Sequence, residues 1–345
     1  MEGGPGERLR PGLFRPVPSD REGVVGPTPK SARGPRWRRA SRGLFVPSSV
    51  EQTVEQRILE ASMVLPDVGG VTGWAGLRWA GGTWFGGQGS GRLDRPVWLA
   101  VGGSDVRAQP GIAVSAERLD PRLVTVLDGV PMTVPVRSAD FEMRYAEDLW
   151  AAVEVMDMAA YADLVSIDEA WTYAMAHPGW TGIGQERGAI ALADENSWSP
   201  QETWSRLVWR LVAELPLIRC NQPVFDRRGS FIGTPDLIDE EAGLLVEYKG
   251  SDHADRKQWA ADIKREAVFR NHGLEIVDVV AADRRSPSAL AARMHAARER
   301  AAFAAPSTRA WTLEQPHWWR PTQTVELRRQ IDVADRAKLL GYRVA

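Results

Sequence analysis

Lysine is scarce in this chain: five residues against thirty-eight arginines. Cysteine is scarcer still. Cys220 stands alone, which excludes an internal disulfide and a cysteine-built zinc site. No apolar run approaches the ~18 residues of a membrane span. The opening MEGGPGERLRPGLFRP lacks the apolar core of a signal peptide. Together these absences lead to the expectation of a cytoplasmic protein with no membrane partner. Net charge is also small, formally −2, which argues against a nucleic-acid coat and leaves local basic patches open. What is present fits a soluble globular protein, 43% apolar and 26% charged, long enough at 345 residues for two or three domains.

The basic residues are not evenly spread. Ten Lys or Arg fall between Arg8 and Arg42, ending in RGPRWRRASRGLFVP, where Arg36, Arg38, Arg39 and Arg42 surround Trp37 and precede Phe45. Such a cluster suits a phosphate backbone or a solvated, Pro/Gly-rich arm. Residues 46–190 read as a mixed α/β domain. VEQTVEQRILEASMVL has helical spacing, RPVWLAVGG, GIAVSAE and LVTVLDGVPMTV read as short strands, and SADFEMRYAEDLWAAVEVMDMAAYADL returns to helical periodicity. GWAGLRWAGGTWFGG reads as a packing feature or loop. GIGQERG fails the dinucleotide spacing, because Arg187 stands where the third glycine belongs.

Residues 191–305 form the sharpest segment, and 306–345 a Trp/Pro-rich tail. Ser199 is placed to cap a helix with Pro200 at its first position and Glu202 three residues on, followed by an apolar stripe of Trp204, Leu207, Val208 and Leu211. LIRCNQPVFD, FIGTPDLID and LLVEYKG read as three strands. A helix then runs to a C-cap at Gly273, followed by the strand LEIVDVVAAD and a last helix. The order α-β-β-β-α-β describes a sheet flanked by helices, so the fold class is α/β.

The scarce lysine matters here. Lys249, Lys257 and Lys264 lie within sixteen positions, and Lys249 follows Glu247 by two on a strand, so the two share a face. A short antiparallel turn brings Asp236 beside them. Two carboxylates at one spot repel each other unless a cation sits between them. Mg²⁺ accepts one or two carboxylates plus waters and phosphate oxygens, and Mn²⁺ is a substitute. A lysine beside them adds a compact charge whose pKa shifts more readily than arginine's. Asp236 and Glu247 are therefore candidate metal ligands, with Lys249 holding the attacking water or stabilising charge on phosphate.

Pro235-Asp236 followed by Glu247-Tyr248-Lys249 resembles the signature of PD-(D/E)XK nucleases. SPQET, Glu247-Tyr248-Lys249-Gly250 with His253, then Asp262, Arg265 and Gly273 resemble the subgroup related to very-short-patch-repair endonuclease. That subgroup is found in actinobacterial AbiEi-antitoxin-like proteins. The resemblance covers about 195–285 and implies a restriction-endonuclease-like core at the C-terminal side. Upstream, it implies a shortened, Pro-rich winged-helix-like DNA-binding segment over 1–45. The implied activity is Mg²⁺-dependent hydrolysis of DNA phosphodiesters, with Asp236, Glu247 and Lys249 central and Glu202 and His253 in support. The competing reading is a non-catalytic DNA-binding regulator or antitoxin of the AbiEi type, with a toxin partner encoded nearby. RNA remains an equivalent substrate for such a site.

Each candidate also has a plainer reading. Glu202 belongs to a capping box, Glu247 and Lys249 make a surface ion pair, and His253 is a solvated loop residue. Lys257, Lys264 and Arg265 either track a phosphate backbone or form a wet helix face. Cys220 packs in a strand. Trp311, Trp318 and Trp319 beside Arg320 strap the tail down or stack on unpaired bases.

Overall fold

The computed structural model describes residues 9–89, 94–250 and 256–341, with the backbone alone over 256–263. The chain divides into two compact units, Met1–Ala146 with Asp168–Glu186, and Glu147–Ile167 with Arg187–Ala345. Both mix helices with sheet, as an α/β chain should.

In the first unit, β1 (Val17–Pro18), β2 (Trp37–Ser41) and β3 (Leu44–Pro47) form an antiparallel sheet in the order β1-β3-β2. The described part of the basic segment is thus strand and turn. The first α-helix among the described residues is α1 (Val54–Ser62). Next come β4 (Gly70–Thr72), α2 (Gly73–Trp79), β5 (Val97–Ala100), β6 (Ile112–Ser115), β7 (Val124–Leu127), β8 (Val130–Thr133) and α3 (Pro135–Arg144). The five strands from β4 to β8 make one mixed sheet, ordered β6-β5-β4-β8-β7. The Trp/Gly-rich stretch opens with α2, which buries Trp74 and Trp79, and continues as turn and loop.

The long helical region breaks at Tyr145–Asp148, where Asp148 caps α4 (Leu149–Tyr161) by accepting the Ala151 N–H. Two more helices follow, α5 (Ile167–Ala176) and α6 (Ile183–Leu192). GIGQERG lies at the start of α6, which settles it as helix rather than phosphate loop.

The second unit carries α7 (Pro200–Leu207), β9 (Arg219–Cys220), β10 (Val224–Asp226), β11 (Phe231–Gly233), β12 (Leu237–Asp239) and β13 (Leu244–Lys249). After them come α8 (Arg256–Asn271), β14 (Glu275–Val280), α9 (Pro287–Arg300), β15 (Trp311–Thr312), α10 (Val325–Arg329) and α11 (Val333–Leu340). Past Leu207 the chain widens into a π turn over Val208–Val212. That turn rotates the expected stripe: Trp209 is fully buried while Leu211 faces out, 39% exposed.

Two expected strands are each split. LIRCNQPVFD breaks at Asn221, whose φ of 47° is left-handed. FIGTPDLID breaks at Thr234-Pro235, where proline has no N–H to give a ladder. The pieces join two sheets, β14-β13-β12-β9 and β11-β10-β15. The β12–β13 hairpin is antiparallel, with Gly243 at φ 73° in its turn, and β13–β14 is parallel with α8 as the crossover. Gly273, φ 80°, ends that helix as its sequence position implied.

Strand alternation fills both sides of the four-stranded sheet. Leu237, Leu244, Val246, Val277 and Val279 pack with Trp209, Leu290 and Met294. Ile238, Leu245 and Ile276 pack with Phe269 of α8 and with Trp311. On this second face, continuing by two along each strand replaces leucine and isoleucine with Glu247 and Asp278, and the face turns from apolar to charged.

Candidate active site

The charged end of that face is a row. The β12–β13 register pairs Leu237 with Val246, so Asp236, one step before β12, stands opposite Glu247. Glu247 in turn pairs with Asp278 across the parallel ladder. On the other side, Asn221 N–H donates to the Asp236 carbonyl at 2.9 Å. Four consecutive positions, Asn221, Asp236, Glu247 and Asp278, therefore cross the sheet. Asp236 precedes its strand rather than ending one, and its Oδ2 accepts the Tyr248 N–H at 2.7 Å.

Glu202 reaches the row from α7. Ser199 caps the helix as expected, its Oγ accepting the Glu202 N–H at 3.2 Å and donating to Glu202 Oε1 at 2.9 Å. The box closes on the Trp198 N–H, 2.7 Å from Oε2, one residue before the cap. The same oxygen accepts Asn221 Nδ2 at 2.5 Å. Glu202 is thus both a helix cap and a neighbour of the carboxylate row. Burial, then the Asp236 charge, raise its pKa to about 8.

Glu247 is 1% exposed. Arg265 of α8 donates to its Oε2 at 2.6 Å, while Oε1 is buried with no hydrogen-bond partner among the described residues. Burial and then Asp236 raise its pKa to about 8, against the opposing pull of Arg265 and Lys249. A buried carboxylate oxygen without a hydrogen-bond partner is costly when ionised, on the order of 1–3 kcal/mol or more.

Lys249 shares this face but turns to other acids. Its Nζ bonds the Glu266 carboxylate of α8 and lies 3.8 Å from Asp278 Oδ1. Burial pulls its pKa down, yet Glu266, Asp278 and Glu247 outweigh it and the net shift is upward. The ammonium is therefore a fixed positive charge, not a base. The expected simple Glu247–Lys249 ion pair is replaced by a crossed arrangement of Glu247 with Arg265 and Lys249 with Glu266.

The remaining candidates separate. Arg265 joins the site as the partner of Glu247, while Lys264 is exposed on α8. His253 and the side chains of Lys257 and Asp262 lie outside the described residues. In the first unit, Arg38 is engaged by Glu60 through two bonds of 2.8 and 2.7 Å. Arg36, Arg39 and Arg42 are exposed, and Arg39 Nε donates to the Ser41 carbonyl. Cys220 is buried in β9, and burial pushes its thiol pKa up, as for a packed strand residue.

Asn221, Glu266 and Asp278 were missed by reading the sequence alone. Asp278 carried a signal, a single acid inside the apolar run EIVDVV. Asn221 and Glu266 become visible only when the strand breaks and the crossover register is known.

Among the described residues no group of three or more His, Cys, Asp or Glu is arranged to hold a metal ion. A pair remains, Asp236 and Glu247, with one unpartnered oxygen, and this is the donor set that Mg²⁺ takes when waters and phosphate complete its shell. The residues fit the ion. Among the described residues, no helix is long and apolar enough to cross a membrane. No family model, curated protein or solved structure matches the chain.

Proposed function

We propose that the second unit holds a divalent cation at Asp236 and Glu247 and hydrolyses phosphodiester bonds in DNA, in a PD-(D/E)XK-like arrangement. The observation that carries this reading is Glu247 Oε1, buried and unpartnered opposite a second carboxylate. Mg²⁺ or Mn²⁺ bound there would polarise a phosphate oxygen and acidify a bound water. Asp236 is oriented by the Tyr248 N–H and Glu247 by Arg265. Lys249, kept protonated by Glu266 and Asp278, supplies positive charge where negative charge develops on phosphate. Glu202, its pKa raised, holds a proton near neutral pH and steadies Asn221 at the end of the row.

The test uses supercoiled plasmid and single-stranded DNA, each with Mg²⁺ or with chelator. Cleavage is expected with Mg²⁺ only, and lost in Lys249→Ala. Cutting that survives Asp236→Ala, or no cutting of any substrate, contradicts the reading.

One observation favours a second reading, a DNA-binding regulator with a relic site. Arg265 and Lys249 already neutralise Glu247 and Glu266. That reading predicts tight, salt-sensitive binding to its own promoter DNA without metal-dependent cleavage.

A further inference from the structure

A cavity of about 480 Å³ in the second unit is lined by Trp198, Phe231, Trp319, Gln323, Asn221 and Arg265, among others. Its size is that of a small-molecule pocket. One lining residue, Asn221, belongs to the row, and a second, Arg265, is the partner of Glu247. Asn221 binds Glu202 and Arg265 binds Glu247, so the cavity adjoins the carboxylates. We infer that this cavity receives an unpaired nucleobase of a single-stranded nucleic acid, with its phosphate directed toward Arg265. The inference rests on reading the neighbouring site as one for a phosphodiester.

Three features select this occupant. First, one side is a flat aromatic platform: Phe231 and Trp319 stack on each other at 5.2 Å with 20° between their planes, and Phe231 is 48% exposed. Every base has a π-face that such a platform holds without regard to sequence. Second, Trp319 Nε1 has no hydrogen-bond partner among the described residues, so its N–H is left for an acceptor. Trp198 differs, since its indole N–H already goes to Asn196 Oδ1 at 3.1 Å. The Gln323 carbonyl oxygen accepts the Thr322 N–H at 3.1 Å, which leaves the NH₂ end of the amide for a ligand. Third, Arg265 is the one charged residue among the described lining, and its bond to Glu247 uses Nη2, which suits an aromatic occupant whose phosphate meets the rest of the guanidinium. A base inside a duplex offers only its edges, and only an unpaired one presents its face.

The tail that supplies Trp319 and Gln323 is anchored. Arg328, fully buried, donates to Asp163 Oδ1 at 2.5 Å, to the Thr322 carbonyl at 2.9 Å and to the Ala160 carbonyl at 2.7 Å. Trp311 pairs with β10 in the sheet that also holds Phe231. The walls are therefore preformed.

The experiment is fluorescence anisotropy on the full chain in chelator, with labelled twelve-residue single strands of DNA and of RNA, the matching DNA duplex, and a base-free deoxyribose-phosphate oligomer. Wild type is expected to hold the single strands more tightly than the duplex or the base-free oligomer. Phe231→Ala, at a half-exposed position, should weaken single-strand binding roughly tenfold and leave duplex binding unchanged. Trp319→Phe keeps a ring without the N–H, and should fall between the two. Equal affinity for single strand and duplex, or wild-type binding by both variants, overturns the inference. The DNA and RNA arms show which backbone carries the base. The metal reading fails separately, by absence of any Mn²⁺ effect on thermal stability, and a single-strand preference lost in Phe231→Ala would then still support the base pocket.

Discussion

Asp236→Asn is expected to make the metal-free protein more stable at pH 8 while lowering Mg²⁺-dependent cleavage on the order of 10²-fold or more. The two effects have one origin. Asp236 is the charge that, after burial, raises the pKa of both Glu202 and Glu247. Neutralising it relieves two buried carboxylates at once, while an amide oxygen at 236 still accepts the Tyr248 N–H. A gain of about 1 kcal/mol would raise the melting temperature by ~2–4 °C for a unit of this size. A residue kept for stability behaves in the opposite way, because its loss lowers the melting temperature. Circular dichroism melts in chelator, beside plasmid cleavage, check both halves. A fall in melting temperature with cleavage intact would contradict the account.

The second large effect concerns pH. Glu202 and Glu247 have folded pKa values raised to about 8 from the ordinary glutamate value of 4.5. Between those limits the folded state binds more protons than the unfolded chain, so stability falls as pH rises. The contribution is fully present below about 4.5 and lost by about 8. Melting the metal-free protein from pH 5 to pH 8 should show this decline, and Glu247→Gln should flatten it. A divalent cation competes with the proton for the same oxygens. Mn²⁺ should therefore raise the melting temperature more at pH 8 than at pH 5. Glu186 in the first unit, raised to about 9 by burial and then Asp140, adds a slope of the same sign that no metal should remove. A metal effect equal at both pH values would place the ion elsewhere.

The strand pair carrying Asp236, Glu247 and Lys249 was legible because local rules govern it. A period-two alternation fixes which residues share a face, and EEAG specifies a tight turn with glycine at its end. Ser199, Pro200 and Glu202 likewise announced a helix start, and Gly273 a helix stop. What lay beyond local rules was not legible. A left-handed Asn221 and the Thr234-Pro235 break send halves of two apolar runs to different sheets, a tertiary choice with no periodic signature. The π turn after Leu207 trades Leu211 for Trp209 in the core for the same reason. Lys249 was correctly placed on the face of Glu247, yet its partners come from α8 and β14, distant in sequence. Composition showed the charge of the basic segment but not its partners: Arg38 is held by Glu60, from a helix twenty-two residues on. In the Trp-rich tail, Trp311 straps the chain to β10 and Trp319 stacks on Phe231, pairings that composition alone does not specify.

The most direct test is calorimetric titration of Mn²⁺ into the wild-type protein and into Asp236→Asn at pH 8. One site per chain in the wild type, absent or greatly weakened in the variant and accompanied by proton release, is the predicted result. Equal binding by both proteins, or none by the wild type, would contradict a cation held between positions 236 and 247.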